Sequence, residues 1–235
     1  MAAAEVGAEV TSVAIPHGEA RLHRDAAERP VACLLLGHGA GGGVESPDLV
    51  ALAAALPAEG VTVLRLEQPW RVAGRKVATP PPTLDAGLRA AVEARVAADR
   101  AVPLVVGGRS AGARSAARCA GPLGAAGAVL LSFPLHPPGR PERSRAGELA
   151  GLLATGTPTL VVQGERDTMG TADELVAALA DPAVAPAGGV GADLAVVPHA
   201  DHGLKVPKRA PLGQDEALAL VVEAVLEWVV RDVVG

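Results

Sequence analysis

One serine stands in a glycine-rich turn between an apolar run and an alanine- and arginine-rich segment. The run covers residues 103–106, and the segment 113–120 is predicted to be helical. Ser110 therefore lies in a G-x-S-x-G pattern at a strand-to-helix turn, as a nucleophile elbow requires. Gly108 and Gly112 remove side chains where strand and helix would otherwise collide. We predict a nucleophilic serine, although a plain turn in a chain with 28 glycines also fits the pattern.

A carboxylate follows another apolar run, residues 159–162. Asp167 comes shortly after this run, and an acid at a strand end can fix the tautomer and orientation of a histidine. The same aspartate also suits a helix cap, a role for which Thr168, Thr171 and Asp173 are equally placed. Asp167 is thus a candidate for the acid of a triad.

Two histidines follow the last apolar run, residues 194–197. Imidazole supplies the near-neutral pKa that a general base needs. His202 precedes Gly203 and lies further along the loop than His199, so we predict that His202 is the base. His199, Asp201 and His202 also have the residue types of a metal site, but no matching third or fourth ligand cluster accompanies them.

A glycine-rich loop, residues 37–43, follows the apolar run 31–36. Its G-x-G-x-x-G spacing, with Glu67 at the end of the next run, fits a dinucleotide fingerprint. It also fits a His-Gly-Gly type loop, whose backbone N–H groups stabilise an oxyanion. Two alternating runs precede residue 31, whereas a dinucleotide fold usually carries its fingerprint on the first strand. We therefore favour the oxyanion loop.

The apolar runs predict an α/β fold with a mostly parallel, doubly wound sheet. Short alternating runs at 10–15 and 20–23 predict an antiparallel edge pair with one solvated face. Continuous apolar runs, typical of strands buried on both faces, occupy 31–36, 61–66, 103–106, 128–133, 159–162 and 194–197. Helical patterns between these runs predict βαβ units with helices on both faces of the sheet.

Four apolar stripes at helical spacing fill gaps between the runs. They cover residues 49–56, 84–96, 175–179 and 218–229. The second helix is predicted to carry Asp85, Arg89 and Glu93 on its outer face. We find no linker or repeat, and we expect one domain over residues 1–235. Its long loops, 67–82, 134–145 and 199–211, should emerge where open α/β sheets bind ligands.

The composition excludes several classes of function. The net charge is −5 and aromatic residues make up 1% of the chain, which argues against a nucleic-acid platform. The first ten residues lack a basic n-region, and no apolar stretch is long enough to span a membrane. Cys33 and Cys119 are expected to be buried free thiols, which fits a reducing, cytoplasmic location. The oligomeric state is not predicted.

The three candidates occur along the chain in the order Ser110, Asp167, His202, and each follows a predicted strand. This is the Ser, Asp, His order of α/β-hydrolases. The chain resembles their small, lidless, dienelactone-hydrolase-like branch, and within it a family of hydrolase-like domains also found in chromatin-complex subunits. The resemblance covers nearly the whole chain and rests on the motifs LLLGHGAGGG, VVGGRSAGAR, LVVQGERD and PHADHGLK.

The resemblance implies an α/β-hydrolase fold and a serine hydrolase that cleaves an ester, thioester or small amide bond without metal or organic cofactor. It implies that Ser110 attacks, His202 acts as base and Asp167 orients it. Some relatives are scaffolds, so a non-catalytic interaction module remains an alternative. A nucleotide-binding oxidoreductase is a further alternative.

By the same resemblance, the N–H groups of Ala40 and Ala111 would form the oxyanion hole. Gly39 or Gly41 is an alternative contributor from the loop. One difference from the family pattern is Arg109, which occupies the variable position of the elbow.

Basic residues gather in the loops that should surround Ser110. They are Arg71, Arg75, Lys76, Arg109, Arg166, Lys205, Lys208 and Arg209. Such a rim would attract anionic substrates, although each cation alone also fits a solvated surface. Two aromatic residues just past strand ends, Trp70 and Phe133, are predicted to form an apolar wall for a small acyl group. The substrate-binding candidates are Gly41, Trp70, Arg71, Arg109 and Phe133.

Overall fold

The computed structural model describes residues 8–15, 17–185 and 191–235. Its strands form one eight-stranded sheet. They are β1 (Glu9–Ile15), β2 (Gly18–Asp25), β3 (Ala32–Gly37), β4 (Val61–Glu67), β5 (Leu104–Arg109), β6 (Gly127–Leu131), β7 (Thr159–Gly164) and β8 (Ala192–Val197). Each lies on a run that the sequence analysis assigned to a strand, with ends that differ by a few residues.

The sheet has the strand order β1-β2-β4-β3-β5-β6-β7-β8. The first two pairs, β1 with β2 and β2 with β4, are antiparallel, and every other pair is parallel. The predicted antiparallel edge and parallel body are therefore confirmed. Because β3 to β8 run in one direction, the loops that follow them emerge at the same edge of the sheet.

Helices connect the strands. They are α1 (Pro47–Ala55), α2 (Pro69–Val72), α3 (Pro81–Glu93), α4 (Ala97–Arg100), α5 (Ala111–Cys119), α6 (Ala146–Leu153), α7 (Ala172–Ala180) and α8 (Gln214–Val229). A 3₁₀ turn (Leu56–Glu59) extends α1, and a π turn (Val230–Val234) extends α8. The second predicted stripe ran to Val96, whereas α3 ends at Glu93 and Val96 precedes the short α4.

Two apolar clusters cover the two faces of the sheet. Leu35 and Val106 point into one cluster, which also contains residues of α3, α5, α6 and α7. Leu34 and Val105, their neighbours along the strands, point into the other, which contains residues of α1 and α8. Since successive strand residues alternate between faces, a strand covered on both sides must be apolar throughout. This explains the continuous runs in the sequence.

The predicted outer position of Asp85 is wrong. Its carboxylate is buried, accepts a 2.7 Å hydrogen bond from Ser115 Oγ, and accepts two more from the Arg118 guanidinium at 2.7 and 2.9 Å. Asp85 lies three and seven residues before Leu88 and Val92, so it shares their buried face. A partner on α5 makes this burial possible, and a single helix cannot reveal that partner.

Both cysteines are buried free thiols, as expected. Burial raises the pKa of Cys33 to about 12 and that of Cys119 to about 11. Both therefore stay protonated and unreactive at neutral pH. Within the described parts of the chain, no helix is both long and apolar enough to cross a bilayer.

Candidate active site

Ser110 occupies a strained turn between β5 and α5. Its φ of 53° lies in the left-handed region, which side-chain-bearing residues rarely adopt. A Cβ added at Gly108 would lie 2.5 Å from the Gly37 carbonyl oxygen, and one at Gly112 would also overlap Gly37. The elbow thus packs backbone against backbone on β3, which explains both flanking glycines and confirms the close approach predicted for them.

Three side chains from separate strand ends meet at this turn. His202 Nε2 lies 2.9 Å from Ser110 Oγ, and His202 Nδ1 lies 2.7 Å from Asp167 Oδ2. Asp167 is fully buried, whereas the His202 side chain is 25% exposed. Because the carboxylate can only accept at Nδ1, the neutral ring carries its proton there and leaves Nε2 free to accept from the serine.

Asp167 is held by two donors that the sequence analysis missed. Gln163 Nε2 donates to its Oδ2 at 2.8 Å, and the Met169 N–H donates to its Oδ1 at 2.8 Å. Gln163 Nε2 also donates to the Gly170 carbonyl at 2.7 Å, which ties the acid-bearing loop to β7. The signal was present in the sequence, since Gln163 is a polar side chain directly after the apolar run 159–162.

The loop after β3 lies directly over the serine. A Cβ added at Gly39 would lie 3.4 Å from Ser110 Cβ. In the described part of the chain, neither the Ala40 N–H nor the Ala111 N–H donates a hydrogen bond. Both are therefore free to bind a ligand oxygen, and the oxyanion hole stays a prediction. Gly41 is exposed, with open space around its Cα.

The buried His38 ring holds the loop after β3 in place through both of its nitrogens. Its Nδ1 lies 2.9 Å from the Gly39 carbonyl oxygen, while its Nε2 accepts the Gln68 N–H at 3.1 Å. These two partners require a neutral ring protonated at Nδ1. Burial lowers the pKa of His38, which keeps the ring neutral.

The two aromatic candidates for an acyl wall are buried. The Trp70 ring packs edge-on against His38, with centroids 5.4 Å apart. Phe133 is fully enclosed in the apolar cluster under α5 and α6. Neither ring presents an open face to the serine, and this burial argues against the predicted wall. Strand-end position alone did not distinguish a ring in the core from a ring in a cleft.

The two arginine candidates are engaged with protein partners. Arg71 Nη2 donates to Glu45 at 2.7 Å and stays partly exposed. Arg109 Nη2 donates to the main-chain carbonyl of His202 at 3.1 Å, and its Nε lies 3.2 Å from Asp48 Oδ2. Asp48 was not predicted as a site residue. It precedes Leu52 by one helical turn, so it belongs to the buried face of α1.

The residues of the two alternative sites, a metal site after β8 and a dinucleotide fingerprint after β3, have contacts of other kinds. The His199 ring and main-chain N–H both face Glu165. Among the described residues, no group of three or more His, Cys, Asp or Glu side chains has the arrangement of a metal site. Glu67, the acid proposed for a dinucleotide fingerprint, lies 3.3 Å from His23 on β2.

The sheet order, with a serine at the strand-to-helix turn after β5, is that of the α/β-hydrolase class. Residues 30–230 match the sequence profile of an alpha/beta hydrolase domain. This match covers most of the chain, and the protein belongs to that family. A search of curated protein sequences found no match.

Solved structures share the whole fold at low sequence identity. An alpha-beta serine hydrolase homologue from Coxiella burnetii superimposes with a TM-score of 0.74 at 16% identity, covering 96% of this chain and 99% of that chain. A dienelactone hydrolase from Anabaena variabilis gives 0.73 at 17% identity, covering 96% and 98%. A lidless α/β serine hydrolase from Xanthomonas campestris gives 0.65 at 19% identity, covering 97% and 98%.

Proposed function

We propose that the protein is a serine hydrolase that cleaves an ester, thioester or small amide bond through an acyl-enzyme on Ser110. The observation that carries the proposal is the continuous contact from Ser110 Oγ through the His202 ring to the buried Asp167 carboxylate. Membership of the α/β-hydrolase domain family supports the same chemistry.

Acylation begins when Ser110 Oγ attacks the substrate carbonyl carbon and His202 Nε2 takes the serine proton. The carbonyl oxygen becomes an oxyanion, which accepts from the N–H groups of Ala40 and Ala111. Asp167 stabilises the imidazolium. His202 then gives its proton to the departing alcohol, thiol or amine as the carbonyl–leaving-group bond breaks, and the acyl group remains on Ser110.

Deacylation repeats these steps with water. His202 Nε2 takes a proton from the attacking water, and a second oxyanion forms in the same place. Its collapse breaks the bond to Ser110 Oγ, which recovers its proton from His202, and the carboxylic acid leaves. The cycle uses protein groups and water alone, so it requires no metal or organic cofactor.

We further propose that the substrate is a small anionic acyl compound. Exposed cations on loops at the site edge have no ion-pair partner among the described residues, and we call them the positive rim: Arg75, Lys76, Arg166, Lys205, Lys208 and Arg209. The chain as a whole carries a net charge of −5, whereas these six exposed side chains are all cations. Such a field concentrates anions at the site.

A screen of short acyl esters and thioesters on the purified protein tests the proposed reaction, with Ser110→Ala as the control. We expect hydrolysis by the wild-type chain and none above background by the variant. Labelling with a fluorophosphonate probe tests the nucleophile without a known substrate. A chain that is folded but neither hydrolyses esters nor labels at Ser110 would contradict the proposal and favour a non-catalytic interaction module.

A further inference from the structure

The Arg109 side chain joins three segments of the site. It starts from the residue before the nucleophile, reaches Asp48 on α1 with Nε, and donates from Nη2 to the His202 main-chain carbonyl. It also lies against the glycine loop, since a Cβ added at Gly39 would be 3.5 Å from Nη1. One guanidinium therefore links the oxyanion loop, the elbow and the histidine loop.

Asp48 makes this arrangement unusual. The Asp48 side chain is 1% exposed, and among the described residues neither of its carboxylate oxygens has an aligned hydrogen-bond donor. Burial raises the pKa of Asp48, and the charge of Arg109, together with the nearby N–H groups of Leu49 and of Asp48 itself, opposes that rise. A buried carboxylate with so little solvation needs a cation close by, and Arg109 is the cation that meets it.

We propose that Arg109 and Asp48 act as a positioning pair, in which Arg109 holds the His202 main chain and Asp48 balances the charge of Arg109. This inference rests on the proposed function, because it assigns the pair to the base of that reaction. Without Asp48, the held cation would lie beside a ring that must become positive. With Asp48 present, Arg109 can hold the histidine loop without adding net charge beside the ring, because the two side chains carry opposite charges.

The charges that face His202 come from several elements. Asp167 contacts the ring from the loop after β7, and Arg109 and Asp48 approach from β5 and α1. On the histidine loop itself, Asp201 Oδ1 accepts the Gly203 and Lys205 N–H groups, and the Lys205 side chain is exposed. Of these groups, only Arg109 is a largely buried cation that donates a hydrogen bond to the His202 main chain.

Hydrogen exchange of the amides in residues 199–206 tests the clamp without any substrate. In Arg109→Met, we expect exchange there to accelerate about tenfold or more, because the loop loses a tie to the elbow. The matched control is Arg24→Met. Arg24 is 18% exposed and pairs with Asp99, which is 1% exposed, but this pair joins β2 to α4 and does not contact the histidine loop. Arg109→Met/Asp48→Asn leaves no buried unpaired charge and should accelerate exchange as well.

The pH dependence of kcat/KM tests the charge balance. In Asp48→Asn, Arg109 is an uncompensated cation beside His202, so the acid limb should move to lower pH by roughly half a unit or more. The double variant should return it towards the wild-type position. A role in folding alone would lower stability without moving this limb.

Two results would overturn the pair's role: unchanged exchange of residues 199–206 in both Arg109 variants, or an acid limb in Asp48→Asn that stays in place or moves to higher pH. Exchange is measured on the free protein, so it remains informative if the wild-type chain hydrolyses no ester. An active wild-type enzyme with unchanged exchange would contradict the clamp and leave the hydrolase proposal intact.

Discussion

At the scale of single residues, each of the three side chains proposed for the reaction lies within hydrogen-bond distance of another side chain. Ser110 is fixed by its backbone strain, His202 by Asp167, and Asp167 by Gln163. A site arranged in this way has little reorganisation to do when charge develops.

Ser110→Ala and His202→Ala should each lower kcat by roughly 10⁴- to 10⁶-fold, because nucleophile and base act as one unit. The double variant should then be no worse than either single one. Steady-state kinetics on the best ester from the screen measure all three. If the two losses multiplied, the residues would act independently and the shared-proton mechanism would be wrong.

Asp167→Asn should fold normally and lose about 10⁴-fold in kcat, because an amide favours the wrong tautomer of His202. Circular dichroism and thermal unfolding check the fold, and kinetics check the loss. The matched variant is Glu165→Gln, which changes the neighbouring acid that faces His199. Should Glu165→Gln cause the larger loss, the acid would have been assigned to the wrong residue.

His38 gives a prediction for stability against pH. Burial lowers its pKa in the folded state, so below the ordinary histidine range of about 6.5 the unfolded chain binds the extra proton more readily. The folded state therefore loses stability as pH falls below this range. Thermal unfolding from pH 7.5 to 5.5 should show a smaller decline for His38→Gln than for wild type. Equal declines would indicate that His38 is not a neutral buried ring.

At the scale of helices and strands, the sequence pattern predicted the sheet and the long helices because their apolar periods are continuous. Three helices, α2, α4 and α6, were not predicted, and two of them have only four residues. A helix of one turn has too few residues to display a period, and tertiary contacts decide whether it forms.

The candidate site likewise contains residues that the sequence pattern predicted and residues that it did not. Ser110, Asp167 and His202 could be named because each follows a strong strand pattern in a characteristic order. Asp48 could not, because its role depends on a partner from another element. The burial of Trp70 and Phe133 was missed for that reason as well, since their neighbours come from distant parts of the chain.

The buried carboxylate between α3 and α5 should be measurable in stability. Asp85→Ala removes the acceptor for Ser115 and Arg118, and it should lower the free energy of unfolding by about 2 kcal/mol. Arg118 keeps its contact with Glu148, which limits the loss. Urea unfolding measures it, with Glu93→Ala at an exposed position of α3 as the control. Equal effects for the two variants would contradict the assigned packing.

At the scale of the whole molecule, the positive rim gives a prediction about the proposed anionic substrate. For esters matched in acyl size, kcat/KM should be higher for the carboxylate-bearing ester than for the neutral one at low salt. The advantage should shrink as salt rises, because exposed charges are screened over a Debye length of about 8 Å at physiological ionic strength. Kinetics of both esters at low and high salt measure this.

A charge-reversal variant of the positive rim provides the control for that prediction. Lys205→Glu/Lys208→Glu should remove most of the anionic preference and leave hydrolysis of the neutral ester near the wild-type rate. A preference that survives the reversal, or one that salt does not change, would show that the rim does not attract the substrate.

The order in which the sheet supplies its site residues has a consequence for synthesis on the ribosome. The elbow comes from β5 and the acid follows β7, but His202 follows β8, which lies at the edge of the sheet. A nascent chain folded only through β7 presents the serine and the carboxylate without the base between them. Under the proposed mechanism, Ser110 would therefore have no base until β8 has joined, so a partly made chain would not acylate itself on cellular esters.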